Sequence, residues 1–324
     1  MTKHERITID SDIAPEFTAC YLRIAGDECA FIETHTPYAH PRLLSALAAA
    51  GKTPEDVRWI IVTHAHLDHA SGASAMVAAC PNATLLAHPR AARHLIDPEK
   101  LVKSATAVYG AENFHALYGD IAPIPKERVR ALEDGESVAL GDATLSVFHT
   151  AGHANHHFVV DDPRLETVYT GDTFGVIYPS LQRIAKQRGR AGFALPSTSP
   201  TNFDAALAKK SIERVLALGE RFVCPTHYGA YDTGRELAPQ LVRFIDRAGA
   251  WVEEAARGDE SMETMSARFA GLWEEAIAEE APELGEAERK LLALDIKLNA
   301  QGLAFVAGAK RAGTAEKSAA PRAP

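Results

Sequence analysis

The sequence predicts an α/β protein that ends in a helical extension. Three observations carry that expectation. Up to about residue 232, short β-branched and apolar runs alternate with segments of helical period. Beyond it, helical periodicity continues with no strand pattern. Four of the apolar runs end in histidine or aspartate. The expected organisation is a catalytic unit over 1–232, a helical extension over 233–310 and a disordered tail over 311–324, where AGTAEKSAAPRAP is small, polar and proline-bearing.

The elements follow in order. RITID, ACYLRI and CAFIET read as short strands, with AGDE as the turn between the last two. HPRLLSALAAAG is a helix closed by Gly51. VRWIIVT is apolar enough for a buried strand, ASGASAMVAACPN is a helix stopped by Pro81, and ATLLAH is a strand. Residues 89–127 mix helix and loop and are placed to line a cleft. SVALGDATLSVFHT reads as a hairpin around Gly141-Asp142, followed by strands HHFVVDD and TVYTGD. Residues 174–202 are loop-rich, FDAALAKKSIERVLALG is an amphipathic helix ended by Gly219, and RFVCPTH is the last strand.

With 46% hydrophobic and 24% charged residues, the composition is that of a globular protein. The formal net charge of −9 argues against a nucleic-acid partner, since phosphate binders carry a basic surplus. KQRGR at 186–190 is the one basic stretch, and it reads as a solvated loop. The four cysteines form no CxxC pair, so neither a redox dithiol nor a zinc ribbon is expected. The N-terminal stretch lacks an apolar leader and no run reaches membrane-span length, so a cytoplasmic protein without a membrane partner is expected.

The strongest signal is VTHAHLDHASG at 62–72, directly after WIIV. His64 and His66 are two apart, so in extended chain they point to one side. Asp68 and His69 follow at a loop-to-helix junction. Three later strands end in His153, Asp172 and His227. Strand ends lie along one sheet edge, so these distant residues can converge in one cleft. Imidazole and carboxylate are the ligands of zinc, and also of iron or manganese. Seven such groups exceed one tetrahedral ion and suit two ions sharing a carboxylate.

These motifs resemble the signature of the metallo-β-lactamase-fold superfamily: HAHLDH, then TAGH with HH, then GD after a strand, then a histidine after a later strand. The likeness spans roughly residues 7–230. It implies an αββα sandwich, two sheets face to face with helices outside. It further implies that His64, His66 and His153 hold a first metal, that Asp68, His69 and His227 hold a second, and that Asp172 bridges both. HPRAARHLIDPEKL, GDTFGVIYPS and DIKLNAQGLAF resemble a little-characterised bacterial and archaeal subgroup with no settled substrate. One departure is Glu33-Thr34-His35, where the resembling proteins carry Asp-Thr-Gly; this puts the supporting role of that loop in doubt.

The expected activity is hydrolysis. Two divalent ions about 3.5–4 Å apart can share a water and bring its pKa toward neutrality, with Asp68 orienting the hydroxide and taking its proton. Tyr178 lies in a loop able to fold over the metals, where its phenol could donate to an oxyanion or leaving group. His157 is a candidate support for a ligand. His35 and His40 read as loop histidines with a supporting role open to them, His156 as outward, Cys224 as core and Tyr228 as a possible cleft residue. Asp172 argues against a true β-lactamase, because the resembling antibiotic-degrading enzymes lack a bridging aspartate. Acidic balance disfavours the tRNA-processing nucleases of the same fold. The small-molecule substrate expected is a thioester or lactone, and the acid-rich C-terminal helices tilt away from glutathione thioesters. The alternative is a mononuclear iron enzyme that oxidises persulfides, whose ligands are a subset of these. GLAFVAGA is apolar enough to need a covering surface, which motivates a homodimer through the C-terminal helices.

Overall fold

The apolar runs of the first part of the chain become one six-stranded sheet. The structure, a computed structural model, describes residues 3–11, 13–198 and 202–319. The first sheet holds, in order, β1 (His4–Asp10), β2 (Ala19–Ala25), β3 (Glu28–Ile32), β4 (Val57–Ile61), β5 (Thr84–Ala87) and β6 (Val129–Ala131). β1 to β3 are antiparallel and β3 to β6 parallel. Parallel pairing requires crossovers, and α1 (His40–Ala49), α2 (Leu67–Ala70), α3 (Ala73–Ala79), α4 (Pro89–Ile96), α5 (Glu99–Tyr109) and α6 (Ala111–Tyr118) supply them. The second sheet has five strands in the order β11-β10-β9-β8-β7: β7 (Ser137–Leu140), β8 (Ala143–His149), β9 (Phe158–Asp162), β10 (Thr167–Val176) and β11 (Phe222–His227). α7 (Pro179–Gln187) and α8 (Ala205–Leu218) separate its last two strands, and α9 (Gly234–Ala255), α10 (Met262–Glu280), α11 (Glu286–Leu291) and α12 (Ala293–Ala319) complete the chain.

Three apolar layers result. Trp59, Ile61 and Leu86 of the first sheet meet Leu145, Val147, Phe158 and Tyr169 of the second. Leu43, Leu47, Met76 and Leu95 cover the outside of the first sheet. Phe244, Phe269, Trp273 and Leu303 cover the outside of the second, packed with Val159, Val168 and Phe174. Each such burial contributes about 1.5–3 kcal/mol. This is the αββα arrangement expected, with the C-terminal helices forming part of its outer layer. A fully buried ion pair between Arg23 on β2 and Asp162 on β9 ties the two sheets. Removing one partner would strand a charge at about 3–5 kcal/mol.

Some elements differ from expectation. Residues 174–202 contain α7, because Pro179 presets the first helical position and Leu181, Gln182 and Ala185 make one buried face. Arg190 at the end of the basic stretch is not simply solvated: its Nε lies 3.1 Å from Glu283. α12 runs on through 311–319, part of the expected tail, as its Ala, Glu and Lys content permits; 320–324 lie outside the described residues. The apolar stretch 302–309 finds cover within the chain, where Leu303, Ala304 and Ala307 are buried and Phe305 stays exposed. No described helix is long and apolar enough to cross a membrane.

Candidate metal centre

β4 delivers the first ligand loop. Its pairing continues one step past the strand, where Val62 N–H donates to Leu86 O, and then the chain turns away. Thr63 O accepts from Phe158 N–H at 3.0 Å, so the loop is stitched to the second sheet. His66 caps α2, and Asp68 and His69 sit in its single turn. Gly72 has no alternative: a Cβ there would lie 2.6 Å from Thr34 O. Gly171 on β10 is similar, with φ +48° and a Cβ position 2.5 Å from both His157 Nε2 and Thr63 Oγ1. The glycine lets β10 pass close enough to bring Asp172 into the centre.

The seven residues singled out in the sequence come together. His64 Nε2, His66 Nδ1 and His153 Nε2 face one another at 2.8, 2.9 and 3.2 Å. A tetrahedral ion with nitrogens at about 2.0–2.1 Å spaces them about 3.3 Å apart. Beside them, His69 Nε2 lies 3.5 Å from Asp68 Oδ2, and His227 Nε2 lies 3.4 Å from the same oxygen. Asp172 stands between the groups. Its Oδ1 is 3.2 Å from His69 Nε2 and 3.6 Å from His227 Nε2, and its Oδ2 is 3.3 Å from His153 Nε2. His64, His66 and His153 form one candidate ligand set; Asp68, His69 and His227 form another; His64, His69 and Asp172 link them.

The donor set fits metal on a second ground. Both ring nitrogens of His69, Nδ1 of His227 and Oδ1 of Asp172 are buried and make no well-formed hydrogen bond among the described residues. Buried polar atoms left so cost about 1–3 kcal/mol each, and divalent cations would satisfy those that face the centre. Electrostatics differ between the groups. Burial and the neighbouring imidazoles push His64 and His66 well below the ordinary histidine range, and burial lowers His153. Burial opposes charge on His69 and His227 too, but Asp68 and Asp172 outweigh it and hold both above that range. The same histidines overcome burial at the two carboxylates and hold them low.

Surrounding residues fix these side chains. Asp172 N–H donates to His157 Nε2 at 3.1 Å, so the other ring nitrogen carries the proton and meets Thr150 Oγ1 at 2.8 Å. His157 thus supports Asp172 through its backbone. Glu33 Oε1 lies 3.3 Å from His69 Nδ1 and accepts from Thr63 Oγ1. The longer glutamate reaches the histidine, so the departure from Asp-Thr-Gly leaves that loop a contact with the centre. His35 is fully buried with φ +52°, and its carbonyl accepts from Gly72 N–H at 2.7 Å. His40 lies at the start of α1. His156 stacks at 6.0 Å from His64, closer than expected of an outward residue. Cys224 is in the inter-sheet core, and Tyr228 turns its hydroxyl to Asp10.

Tyr178 departs from expectation. Its ring is buried and stacks on Phe17 at 5.4 Å, and Phe17 lies edge-on to His227. Its hydroxyl donates to both carboxylate oxygens of Asp295, each at 3.2 Å, so the phenol is committed to a side chain of α12 and not free for an oxyanion. Asp295 was not anticipated, nor was the role of Asn299 described below. Polar residues four apart, one of them on the apolar stripe of a helix, were the available signal.

A family model described as the metallo-beta-lactamase superfamily matches residues 13–227. The chain belongs to this superfamily. A metallo-beta-lactamase fold-containing protein of Sulfurisphaera tokodaii, ST1585, is 27% identical over 177 residues, 53% of this chain and 60% of that protein. The match therefore spans about three fifths of that relative's length. The solved structure of ST1585 superposes with a TM-score of 0.62 at 19% identity, covering 93% of this chain and 98% of the other. Superfamily protein TTHA1429 from Thermus thermophilus gives 0.60 at 18% identity, over 98% and 96%. The chemotaxis sensor ODP, described with a peroxy diiron species, gives 0.50 at 13% identity, over 76% and 90%. At these identities the structural likeness shows the metallo-beta-lactamase fold, including helices after the last strand. That fold and the His/Asp clusters imply divalent metal.

Proposed function

We propose that the protein is a binuclear metal-dependent hydrolase of a carboxyl-ester-type bond, a thioester or a lactone. The carrying observation is Asp172, whose two oxygens face different ligand groups, Oδ1 toward His69 and His227 and Oδ2 toward His153. A pair of divalent cations, zinc first and iron or manganese next, would supply Lewis acidity and bring the pKa of a bound water toward neutrality. The chain's own residues then divide the work. His64, His66 and His153 present uncharged nitrogens. Asp68 is the open member, with its side chain 38% exposed, so it can meet both water and substrate. Its carboxyl is held below the ordinary range, which suits it to orient a nucleophile by accepting a hydrogen bond. Tyr178, Phe17 and Asp295 wall one side. Asp295 lies within electrostatic reach of His227 and Asp172, so three carboxylates bear on the cleft.

Metal content and turnover test this reading together. About two zinc per chain, with hydrolysis of thioesters or lactones in preference to phosphodiesters and β-lactams, is expected. About one iron per chain, with oxygen uptake on adding a persulfide, would replace hydrolysis by the oxidative alternative. Two metals with turnover of phosphodiesters alone would overturn the bond class.

A further inference from the structure

α12 carries an apolar stripe of Ile296, Ala300, Leu303 and Ala307, all buried, leading from the helix's start toward its middle. Asn299 lies on the same buried side and is 3% exposed. An amide in such a place costs about 1–3 kcal/mol if unpaired, and this one is paired. Its Oδ1 accepts from Thr198 N–H at 2.8 Å and its Nδ2 donates to Pro196 O at 2.8 Å. Its own backbone carbonyl accepts from Thr198 Oγ1 at 3.2 Å. The side chain therefore acts as a one-residue strand partner for 196–198. The preceding residues are held by others: Gln182 pairs with Phe193, Gln240 with Ala194, and Val176 with Leu195. Among the described residues, the hydrogen bonds of Pro196 O and of Thr198 N–H and Oγ1 all go to Asn299.

Between the two clamped residues sits Ser197, whose carbonyl lies 3.1 Å from His153 Nδ1. A carbonyl can only accept, so Nδ1 carries the ring proton and Nε2 turns its lone pair to His64 and His66. One helical turn before Asn299, Asp295 holds the Tyr178 hydroxyl. α12 thus reaches the wall of the centre at two points.

We propose that Asn299 is a positioning residue of the metal centre, setting the tautomer and direction of the His153 ring through the Pro196–Thr198 segment. The C-terminal helix is then a working part of the site and not an appendage to the sandwich. The proposal rests on the reading of His153 as a ligand, and the test separates the two.

The full chain is loaded with cobalt(II), and two quantities are read: affinity at each position by chelator competition, and the exchangeable ring proton of His153 by paramagnetic NMR, assigned by its loss in His153→Ala. Asn299→Ala is expected to weaken one of the two positions about tenfold, the lower end of what outer partners of ligands contribute, and to speed solvent exchange of that proton. Leu303→Ala, in the same helix and core but without a bond to 196–198, is expected to lower thermal stability and leave both quantities unchanged. Asn299→Asp, which keeps the acceptor for Thr198 and loses the donor to Pro196, is expected to lie between and serves if the alanine variant does not fold. Parental affinity and exchange in the Asn299 variants, or an equal loss in Leu303→Ala, would overturn the positioning role. Parental affinity in His153→Ala would remove the ligand reading, and the proposal with it.

Discussion

The two candidate ligand groups share Asp172 yet are built on opposite electrostatic plans. Burial holds His64, His66 and His153 below the ordinary histidine range, and neighbouring imidazoles push His64 and His66 lower still. His69 and His227 face Asp68 and Asp172, which overcome burial and hold them protonated more readily than usual. The first group therefore offers lone pairs already directed by hydrogen bonds to Thr63 and to Ser197. The second holds internal ion pairs that a cation must replace. Two sites a few ångströms apart thus differ in what metal has to displace, which follows from where the carboxylates stand and not from the number of histidines.

The largest test of that contrast removes one member from each group. His66→Ala and Asp68→Ala should each leave about one metal per chain and lower turnover by more than about 100-fold, beyond the range of an outer partner. Metal analysis of the two variants should find different positions emptied. Loss of both metals in both variants would mean the groups act as one. A smaller effect belongs to Glu33. Replacing it by glutamine keeps the contact with Thr63 but removes the charge beside His69, and should weaken the second position about tenfold with the first unchanged. Equal weakening of both, measured by chelator competition, would break the asymmetry.

A separate test, of stability and not of metal, concerns a buried carboxylate with no histidine to hold it down. Burial, then Glu220 and Asp162, push Asp161 up to about 7. Its folded pKa exceeds the unfolded value of about 3.9, so the folded state binds the proton more tightly. Stability from this group is full below about pH 4 and is lost as pH rises toward 7. Asp161→Asn should remove that decline: urea midpoints of variant and parent should diverge as pH rises through this window, in favour of the variant. Parallel curves would show that the group does not titrate there.

Much of this was legible in the residues. A β-branched buried strand followed at once by HAHLDH needs only local geometry to set its ligands at a sheet edge. Of the other three, only His227 ends a strand; Asp172 lies inside β10 and His153 four residues past the end of β8, so their order after apolar runs was legible in the sequence but their placement was not. The helix at 179–187 was missed because prolines and glycines around it read as loop. Glu33 was misjudged because a motif comparison weighs identity at a position, whereas what matters there is how far the carboxylate reaches toward His69. Asp295 as the partner of the Tyr178 hydroxyl was not legible because it lies far along the chain.

By itself, then, the order of apolar runs determined the layers and the family, and the histidines and aspartates along them named the candidate members of the centre, since these depend on periodicity and on the residues each run carries or leads into. Tertiary structure alone decided which carboxylate oxygen faces which histidine, which ring nitrogen bears the proton, and that Asn299 of the last helix holds the segment behind His153. Hydrogen bonds are satisfied across space and leave little trace in spacing along the chain.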